Sequence, residues 1–421
     1  MGSHGTYAES TRASVELISL PIQQSDERLV RSIKEKMENV SLSRCIFRIG
    51  NKPNQENDDN STFVPKLISI GPYHYANESL KVLEEHKWKY SFALLSRKPN
   101  LEARLDKCVK GLRELEHRAR LCYAEADGLH LTSEKFVEMM LIDGCFIIEL
   151  FIRYGVKILR RRGDPFFGQP GRISRLRLDM IMLENQIPFF VLQMLFSLAP
   201  IPEQCTQSLD ELALRFFKPI IPWDNVDIRD KFSQHRYHFL DMILDHLLPV
   251  STKFAPKVTG SLSSSKMIKS ATNLEQSGIS LKENTKHSNT LLDIEFAKGV
   301  LAIPHLKIQK QTEALLKNLI GFEQCCSSIG GSAPCITSYA ILMHHLICSE
   351  KDVELLEKKG IVGNYAADRK AVVDMFKRSV CSGIDLKENL YAELCEQLNG
   401  YKRKTWFQLR RSMFKNKVSL D

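Results

Sequence analysis

The sequence lacks the short motifs that mark the common enzyme classes. It contains no glycine-rich phosphate loop, no G-x-S-x-G nucleophile elbow, no H-E-x-x-H pair and no dinucleotide-binding fingerprint. Its 11 cysteines include no C-x-x-C pair and no spacing typical of a zinc finger. These absences favour no known catalytic or metal-binding class, so we predict a protein that is not an enzyme and that has no cofactor or metal.

Long hydrophobic segments are absent as well. No run of about 18 apolar residues occurs, so no segment of this sequence is predicted to cross a bilayer. The N-terminus lacks the apolar stretch of a secretory signal, and several cysteines occupy helical apolar positions, as buried thiols do in a reducing compartment. A disulfide among Cys325, Cys326 and Cys335 is the alternative to free thiols there.

Positive charge is concentrated in two segments of a chain whose net charge is +9. Residues 402–417 hold seven basic side chains and no acid, and residues 157–177 hold seven basic side chains and one aspartate, which leaves the rest mildly acidic. Base-reading or stacking groups should accompany charge in a nucleic-acid binder. We therefore expect no nucleic acid partner, and an anionic membrane surface or an acidic protein partner instead.

The C-terminal tail, residues 402–421, interleaves aromatic and basic residues. On a helix this composition forms a basic amphipathic surface of the kind that binds anionic lipid. An ordinary solvated helix end is the alternative interpretation. The residues predicted to bind a membrane are Lys402, Arg403, Lys404, Trp406, Phe407, Arg410, Arg411, Phe414, Lys415 and Lys417.

Apolar periodicity predicts a mostly α protein, with a large helical domain over residues 25–401. Residues 1–24 are polar and irregular, and are expected to be disordered. Short β-branched runs between 279 and 308 predict a small β-sheet packed on the helical domain. The Ser- and Lys-rich stretch of about 251–289 predicts a mobile insertion in that domain.

The tract 179–196 has a polar group in the middle of an apolar sequence. Apolar runs flank Glu184, Asn185 and Gln186, and Pro188 follows. If the tract is one helix, Pro188 leaves the carbonyl of Glu184 without a donor, and a neighbouring amide side chain can supply one. We predict a kinked core helix with a local polar clamp. A ligand site is the alternative.

Asp143 falls on the apolar face of a predicted helix, 133–154. A buried acid must be paired or hydrogen-bonded, and we predict Arg175 or Arg177 as its partner. A catalytic acid is the alternative. The predicted structural polar core is Asp143, Glu184, Asn185, Gln186 and Pro188.

A second predicted helix, about 233–248, places two histidines and two aspartates on one face. His235, His238, Asp241 and Asp245 follow each other at steps of three, three and four residues. Such a face can hold a divalent metal. A solvated face opposite the apolar residues explains the pattern equally well, and we make no metal prediction here.

Six segments of the sequence resemble, in the same order, a plant family known as domain of unknown function 247. They are FVPKLISIGPYH at 63–74, MMLIDGCFIIELF at 139–151, MLENQIPFF at 182–190, LLDIEFAKGVLAIPHLKI at 291–308, TEALLKNLIGFEQC at 312–325 and ITSYAILMHHLI at 336–347. The resemblance covers about residues 26–406. The family has no established biochemical activity, and some grass members are associated with self-incompatibility, as male-side determinants of pollen recognition. Members typically continue into a C-terminal apolar segment proposed to span the membrane, which this sequence does not contain.

These observations predict a non-enzymatic plant recognition or signalling protein that acts at or near a membrane. The resemblance implies self-incompatibility or pollen recognition as its role. We expect it at the cytosolic side of the plasma membrane or in the cytoplasm, with an unidentified protein partner, an anionic membrane surface, or an oligomer with itself or its relatives. One alternative is an enzyme of unassigned chemistry that uses Asp143 and Glu184. Another is a soluble scaffold or decoy that pairs with membrane-anchored relatives.

Overall fold

The computed structural model describes nine ranges of the chain, which leave out the predicted disordered N-terminus and the basic tail. They are residues 45–48, 63–124, 130–222, 236–248, 268–285, 290–327, 334–365, 368–380 and 389–401. The described chain is mostly α with two small sheets, as the sequence predicts.

The first half of the described chain is a bundle of seven helices, one of which is buried at its centre. The helices are α1 (Glu84–Leu95), α2 (Leu101–Leu121), α3 (Ser133–Gly155), α4 (Arg172–Ile181), α5 (Phe189–Leu198), α6 (Leu209–Phe217) and α7 (Phe239–Leu247). Helix α3 is buried on all sides from Met139 to Arg153 and packs against α1, α2, α5 and α6. A helix that is apolar all round belongs at the centre of a core, and α3 takes that place.

The second half combines six helices with five short strands. The elements are α8 (Ala271–Gln276), β1 (Ser280–Glu283), β2 (Glu295–Ala297), β3 (Val300–Ile303), β4 (Leu306–Ile308), α9 (Thr312–Ser327), α10 (Cys335–Leu346), α11 (Glu350–Lys358), β5 (Val362–Asn364), α12 (Arg369–Val380) and α13 (Ala392–Gly400). Strand β3 lies between β1, to which it is parallel, and β2, to which it is antiparallel. Strands β4 and β5 form a separate parallel pair. Helix α9 contacts α4 and α7, which joins the two halves into one core.

The structure corrects the predicted mobile insertion at about 251–289 over part of its length. Residues 268–285 fold into α8 and β1, and their apolar side chains Ile268, Leu274 and Ile279 are buried in the core. Gly278, with φ of +90°, lets the chain turn sharply from the helix into the strand. Residues 249–267 and 286–289 lie outside the described ranges.

Candidate functional site

The tract 179–196 is two helices rather than one kinked helix. Helix α4 ends at Ile181, the backbone is extended at Met182, and α5 begins at Phe189 with Pro188 at its N-cap. The prediction of a kinked helix is therefore wrong. Proline has no N–H to donate and its ring clashes with the carbonyl four residues back, so a helix can begin next to it at lower cost than it can continue through it.

Asn185 lies between these two helices and forms hydrogen bonds to a distant segment of the chain, residues 68–70. Its Oδ1 accepts a hydrogen bond from the backbone N–H of Ile70 at 2.7 Å. Its Nδ2 donates to the carbonyls of Ile68 at 3.1 Å and of Asp179 at 2.9 Å. The side chain is fully buried, so these three bonds account for polar groups that water does not reach.

Gln186 likewise forms hydrogen bonds to the end of α4 and the start of α7. Its Nε2 donates to the carbonyls of Met180 and Met182, at 2.9 and 2.8 Å, and its Oε1 accepts from the N–H of Phe239 at 3.2 Å. The amides do bind buried carbonyls, as the sequence suggests. These carbonyls terminate α4, however, and the carbonyl of Glu184 is not among them.

Asp143 forms an ion pair with a buried lysine of α1. Its Oδ1 lies 2.7 Å from Nζ of Lys87, and its Oδ2 accepts the N–H of Gly71 at 2.9 Å. Burial by itself lowers the pKa of Lys87, but the carboxylates of Asp143 and Glu84 outweigh that effect and raise the pKa above its ordinary value. Burial also raises the pKa of Asp143, and Lys87 and the N–H of Gly71 oppose that effect by stabilising the carboxylate.

The partner predicted for Asp143 was wrong. Arg177 donates through Nε to the carbonyl of Phe216, at 2.5 Å, and its guanidinium lies over the ring of Tyr154. Arg175 is exposed and does not bind Asp143 either. Oδ1 of Asp143 binds Lys87, and Oδ2 binds the N–H of Gly71. The expectation rested on nearness in sequence, and Lys87 lies 56 residues before Asp143.

Asp179 is a buried acid that the sequence did not single out. Its Oδ2 accepts the backbone N–H groups of Lys66, Leu67 and Ile68, at 3.1, 2.5 and 2.9 Å. Burial raises the pKa of Asp179, and these three donors work in the opposite direction by stabilising the carboxylate. Its position close to Leu176 and Met180, which face the core from the same helix, could have indicated that Asp179 is buried.

Gly71 is required where the segment 66–71 passes the break between α4 and α5. Its φ is +72°, and a Cβ atom built on it would stand 2.4 Å from the carbonyl oxygen of Gln186. Only glycine fits this approach without strain. That oxygen also accepts the hydroxyl of Tyr123 at 3.0 Å.

Glu184 completes a cluster that we call the polar junction: Asp143, Asp179, Glu184, Asn185 and Gln186, together with Lys87 and the backbone of residues 66–71. Oε2 of Glu184 lies 3.3 Å from Nε2 of His74, and both side chains are buried. Pro188 is buried beside it. Each of the three carboxylates is at most 5% exposed, so the junction has no acid open to a substrate.

The described part of the histidine and aspartate face predicted around 233–248 shows no metal site. His238 caps α7: its Nδ1 accepts the N–H of Asp241 at 3.2 Å, and its Nε2 faces the carbonyl of Cys45 at 2.8 Å. Burial lowers the pKa of His238 to about 4, so the ring is neutral. His238 and Asp241 are buried rather than solvated, Asp245 is half-buried, and His235 lies outside the described ranges. No group of metal-ligating side chains occurs among the described residues.

No disulfide joins the described cysteines, which include Cys325, Cys326 and Cys335. Burial raises the pKa of Cys326 to about 12 and that of Cys335 to about 11. A thiol with a raised pKa has little thiolate, which is the reactive form. These cysteines therefore have the properties of structural side chains.

A second charged feature, which we call the basic cleft, is open to solvent. It is a cavity of about 600 Å³ at the ends of α3 and α6 and along β4. The residues that line it are Tyr154, Lys157, Arg160, Arg215, Lys218, Pro219, Ile221, Lys307 and Gln309. Five of them are cationic, and none of these lining residues is acidic. The sequence indicated only the segment 157–177, because Arg215, Lys218 and Lys307 lie in later elements of the chain.

A family model described as a plant protein of unknown function, DUF247, matches residues 46–420. The chain belongs to the DUF247 family. UPF0481 protein At3g47200 of Arabidopsis thaliana is 29% identical to it over 353 residues, 80% of this chain and 72% of that protein. Putative UPF0481 protein At3g02645 of the same plant is 20% identical over 470 residues, 89% and 86% of the two chains. No solved structure matches the chain.

Four of the six strings that carry the DUF247 resemblance meet at the polar junction. The string at 63–74 supplies the backbone donors, 139–151 supplies Asp143, and 182–190 supplies Asn185 and Gln186. The string at 312–325 adds Asn318, whose Oδ1 accepts the N–H of Leu183 at 2.8 Å. These parts of the family pattern thus correspond to the fold's internal connections.

The described part of this DUF247 protein contains no helix that is both long enough and apolar enough to span a membrane. Of its two longest helices, α2 carries many charged residues and α3 lies within the packed core.

Proposed function

We propose that this DUF247 protein is a non-enzymatic recognition protein that binds an anionic partner at or near a membrane. One observation supports the proposal more than any other: the carboxylates are sealed inside the polar junction, whereas the open basic cleft is lined by cations. Groups arranged in this way can attract and hold an anion, and they have no acid in position for proton transfer.

The alternative of an enzyme that uses Asp143 and Glu184 receives no support from the geometry. A general acid or base must come within hydrogen-bond reach of a substrate. Asp143 already binds Lys87 and Gly71, and Glu184 lies buried beside His74. The described lining of the basic cleft contains no carboxylate, cysteine, histidine or serine that could take their place.

The membrane part of the proposal comes from charge. Lys157, Arg215 and Lys218 are exposed at the basic cleft, and the tail 402–417 adds seven basic residues without an acid. Each basic residue close to an anionic leaflet contributes ~1 kcal/mol to binding. A signalling role in self-incompatibility or pollen recognition, the cytosolic side of the plasma membrane and pairing with relatives stay predictions from the family resemblance.

Vesicle co-sedimentation of the full-length protein tests the proposal. We expect binding to vesicles that contain phosphatidylserine and little binding to phosphatidylcholine alone. Binding should weaken as salt is raised to physiological strength, where charges are screened over ~8 Å. A protein that stays in the supernatant with phosphatidylserine vesicles at low salt would contradict the membrane part of the proposal.

Two variants of equal charge change separate the tail from general surface charge. In the tail variant, Lys402, Arg403 and Lys404 become glutamine. In the matched control, the exposed lysines Lys107, Lys351 and Lys370, which form no ion pair with a described residue, become glutamine. The tail variant should lose most of the binding and the control should keep it. Equal losses would show that the effect is one of net charge alone.

A further inference from the structure

We propose that the basic cleft is a binding site for a compact ligand that carries several phosphate groups, such as an inositol polyphosphate. The inference rests on the proposed function, since it names the chemistry of the anion that is recognised.

The cations of the basic cleft come from three separate parts of the chain. Lys157 and Arg160 follow the end of α3, Arg215 and Lys218 lie at the end of α6, and Lys307 lies in β4. Basic residues at the C-terminus of one helix are expected, because they offset its dipole. The dipole does not explain why two helix ends and a strand bring their cations to one cavity, where like charges repel.

Three of the five cations, Lys157, Arg215 and Lys218, have no ion-pair partner among the described acids. Arg160 is held by hydrogen bonds from Nε to the carbonyl of Arg153 and from Nη2 to that of Tyr154, both at 2.8 Å. Those bonds hold its guanidinium in place and leave Nη1 for a ligand, so an anion in the cavity would meet a prepositioned donor.

The walls of the basic cleft are tied to the core and to each other. The ring of Tyr154 packs edge-on against Phe216, with centroids 5.2 Å apart. Across the cavity, the N–H of Lys307 donates to the carbonyl of Pro222 at 2.8 Å. Binding therefore requires little reorganisation of the backbone, which favours affinity.

The size of the cavity selects a ligand larger than a single phosphate. Its volume of about 600 Å³ lies within the range of ~300–1,000 Å³ that small-molecule pockets occupy. One phosphate cannot contact cations on three walls at this size, whereas a ring with phosphates on several sides can. Arginine and lysine suit phosphate oxygens, and Tyr154, Pro219 and Ile221 offer apolar surface to the ring.

Two sources can supply this chemistry: a free inositol polyphosphate, or the headgroup of a phosphoinositide in a membrane. The exposed positions of Lys157, Arg215 and Lys218 leave the cavity accessible to either. The experiment therefore has one arm for each source.

The first arm is calorimetric titration of the full-length protein with inositol hexakisphosphate. We expect saturable binding that weakens with salt, and no binding of unphosphorylated inositol. Lys218→Glu and Arg215→Gln should each weaken the affinity roughly ten- to a hundredfold, the loss expected for a charge-assisted hydrogen bond. Arg215→Lys, which keeps the charge, should retain most of it.

Two controls make this arm specific to the basic cleft. Lys107→Glu changes an exposed lysine of α2 by the same charge as Lys218→Glu and should leave the affinity unchanged. The tail variant with Lys402, Arg403 and Lys404 replaced by glutamine should also retain it. Unchanged melting temperatures show that the cleft variants are folded. The inference is overturned if inositol hexakisphosphate does not bind saturably, or if Lys107→Glu weakens binding as much as Lys218→Glu does.

The second arm compares vesicles that contain a bisphosphorylated phosphoinositide with phosphatidylserine vesicles of equal surface charge. A preference for the phosphoinositide that Lys218→Glu removes assigns the site to the headgroup, and saturable titration without this preference assigns it to the free ligand. If phosphatidylserine vesicles bind but inositol hexakisphosphate does not, the inference fails while the proposed function stands. If inositol hexakisphosphate binds in the cleft but anionic vesicles do not, the membrane part of the proposed function fails instead.

Discussion

The polar junction and the basic cleft both concentrate charge, but the junction buries its charged groups and the cleft exposes them. In the junction, the buried carboxylate of Asp179 accepts three backbone N–H groups, and the buried carboxylate of Asp143 binds Lys87 and Gly71. In the basic cleft, Lys157, Arg215 and Lys218 face solvent without a described acid beside them.

The difference separates residues that hold the fold from residues available to a partner. A buried polar group that has used its hydrogen-bonding capacity stabilises the native state only as long as every partner is present. An exposed cation contributes little to stability and keeps its interactions for a ligand. Substitutions in the junction should therefore change stability, and substitutions in the cleft should change binding.

The largest loss of stability is expected for Asp179→Ala. Three backbone N–H groups, that of Ile68 fully buried, lose their acceptor at ~1–3 kcal/mol each, so the free energy of unfolding should fall by about 4 kcal/mol. Urea denaturation measures it. Asp106→Ala is the matched control, because Asp106 is exposed and pairs with Lys110 one turn away, and this change should cost less than about 0.5 kcal/mol. Equal costs for the two variants would remove the distinction between junction and surface.

Lys87→Met should lower the free energy of unfolding by about 3 kcal/mol, because it leaves the buried carboxylate of Asp143 without its cation. Adding Asp143→Asn should recover part of the loss, since the uncompensated charge is then removed while an acceptor for Gly71 remains. A double-mutant cycle by urea denaturation measures this coupling. Additive effects would mean that the two side chains do not act as a pair.

Asn185→Leu should cost roughly 1–3 kcal/mol, because the N–H of Ile70 and two buried carbonyls lose their partner. Thermal unfolding of the purified variant tests this. An unchanged melting temperature would argue that water reaches this part of the junction, and would return weight to a ligand role for Asn185.

The buried carboxyl group of Asp241 should make the free energy of unfolding depend on pH. Burial raises its pKa from 3.8 to about 7, so between these values the folded protein binds the proton more tightly than the unfolded chain. Its contribution to stability therefore falls as pH rises from about 4 to 7. Asp241→Asn removes that dependence, and its stability relative to the original protein should rise by at least about 1 kcal/mol across this window. Parallel denaturation curves at pH 4 and pH 7 would contradict the raised pKa.

The smallest effect is expected for Lys218→Glu, which should change the free energy of unfolding by less than about 0.5 kcal/mol. Its side chain is exposed, and the change relieves repulsion among neighbouring cations. Thermal unfolding without ligand measures it. A loss comparable to that of Asn185→Leu would show that the basic cleft also holds the fold.

Sequence reasoning succeeded where the determinants are local. Apolar periodicity predicts a helix at 133–154, which is found over Ser133–Gly155, and Ser208 and Glu211 match the capping-box pattern, which is found with both reciprocal hydrogen bonds. Both features depend on residues within one helix. The mostly α class followed from the same kind of periodicity.

The partners in the two charged regions could not be read from the sequence. Lys87 lies in EEHKWKY, where its neighbours make it resemble a surface lysine, and the N–H groups of residues 66–68 carry no side-chain signature. In the basic cleft, Lys307 and Arg215 meet only because of the tertiary fold. Pairing of this sort depends on the arrangement of whole elements, whereas periodicity describes one element at a time.

The bonds between Asp179 and the segment 66–68 also constrain the order in which the protein can form during synthesis. Lys66 leaves the ribosome 113 residues before Asp179 does. At ~5–20 residues per second, the segment waits roughly 6–20 seconds for its acceptor. During that time its apolar neighbours, Ile68 and Ile70, have no core to enter, and this is a period in which a nascent chain is exposed to aggregation or to capture by chaperones.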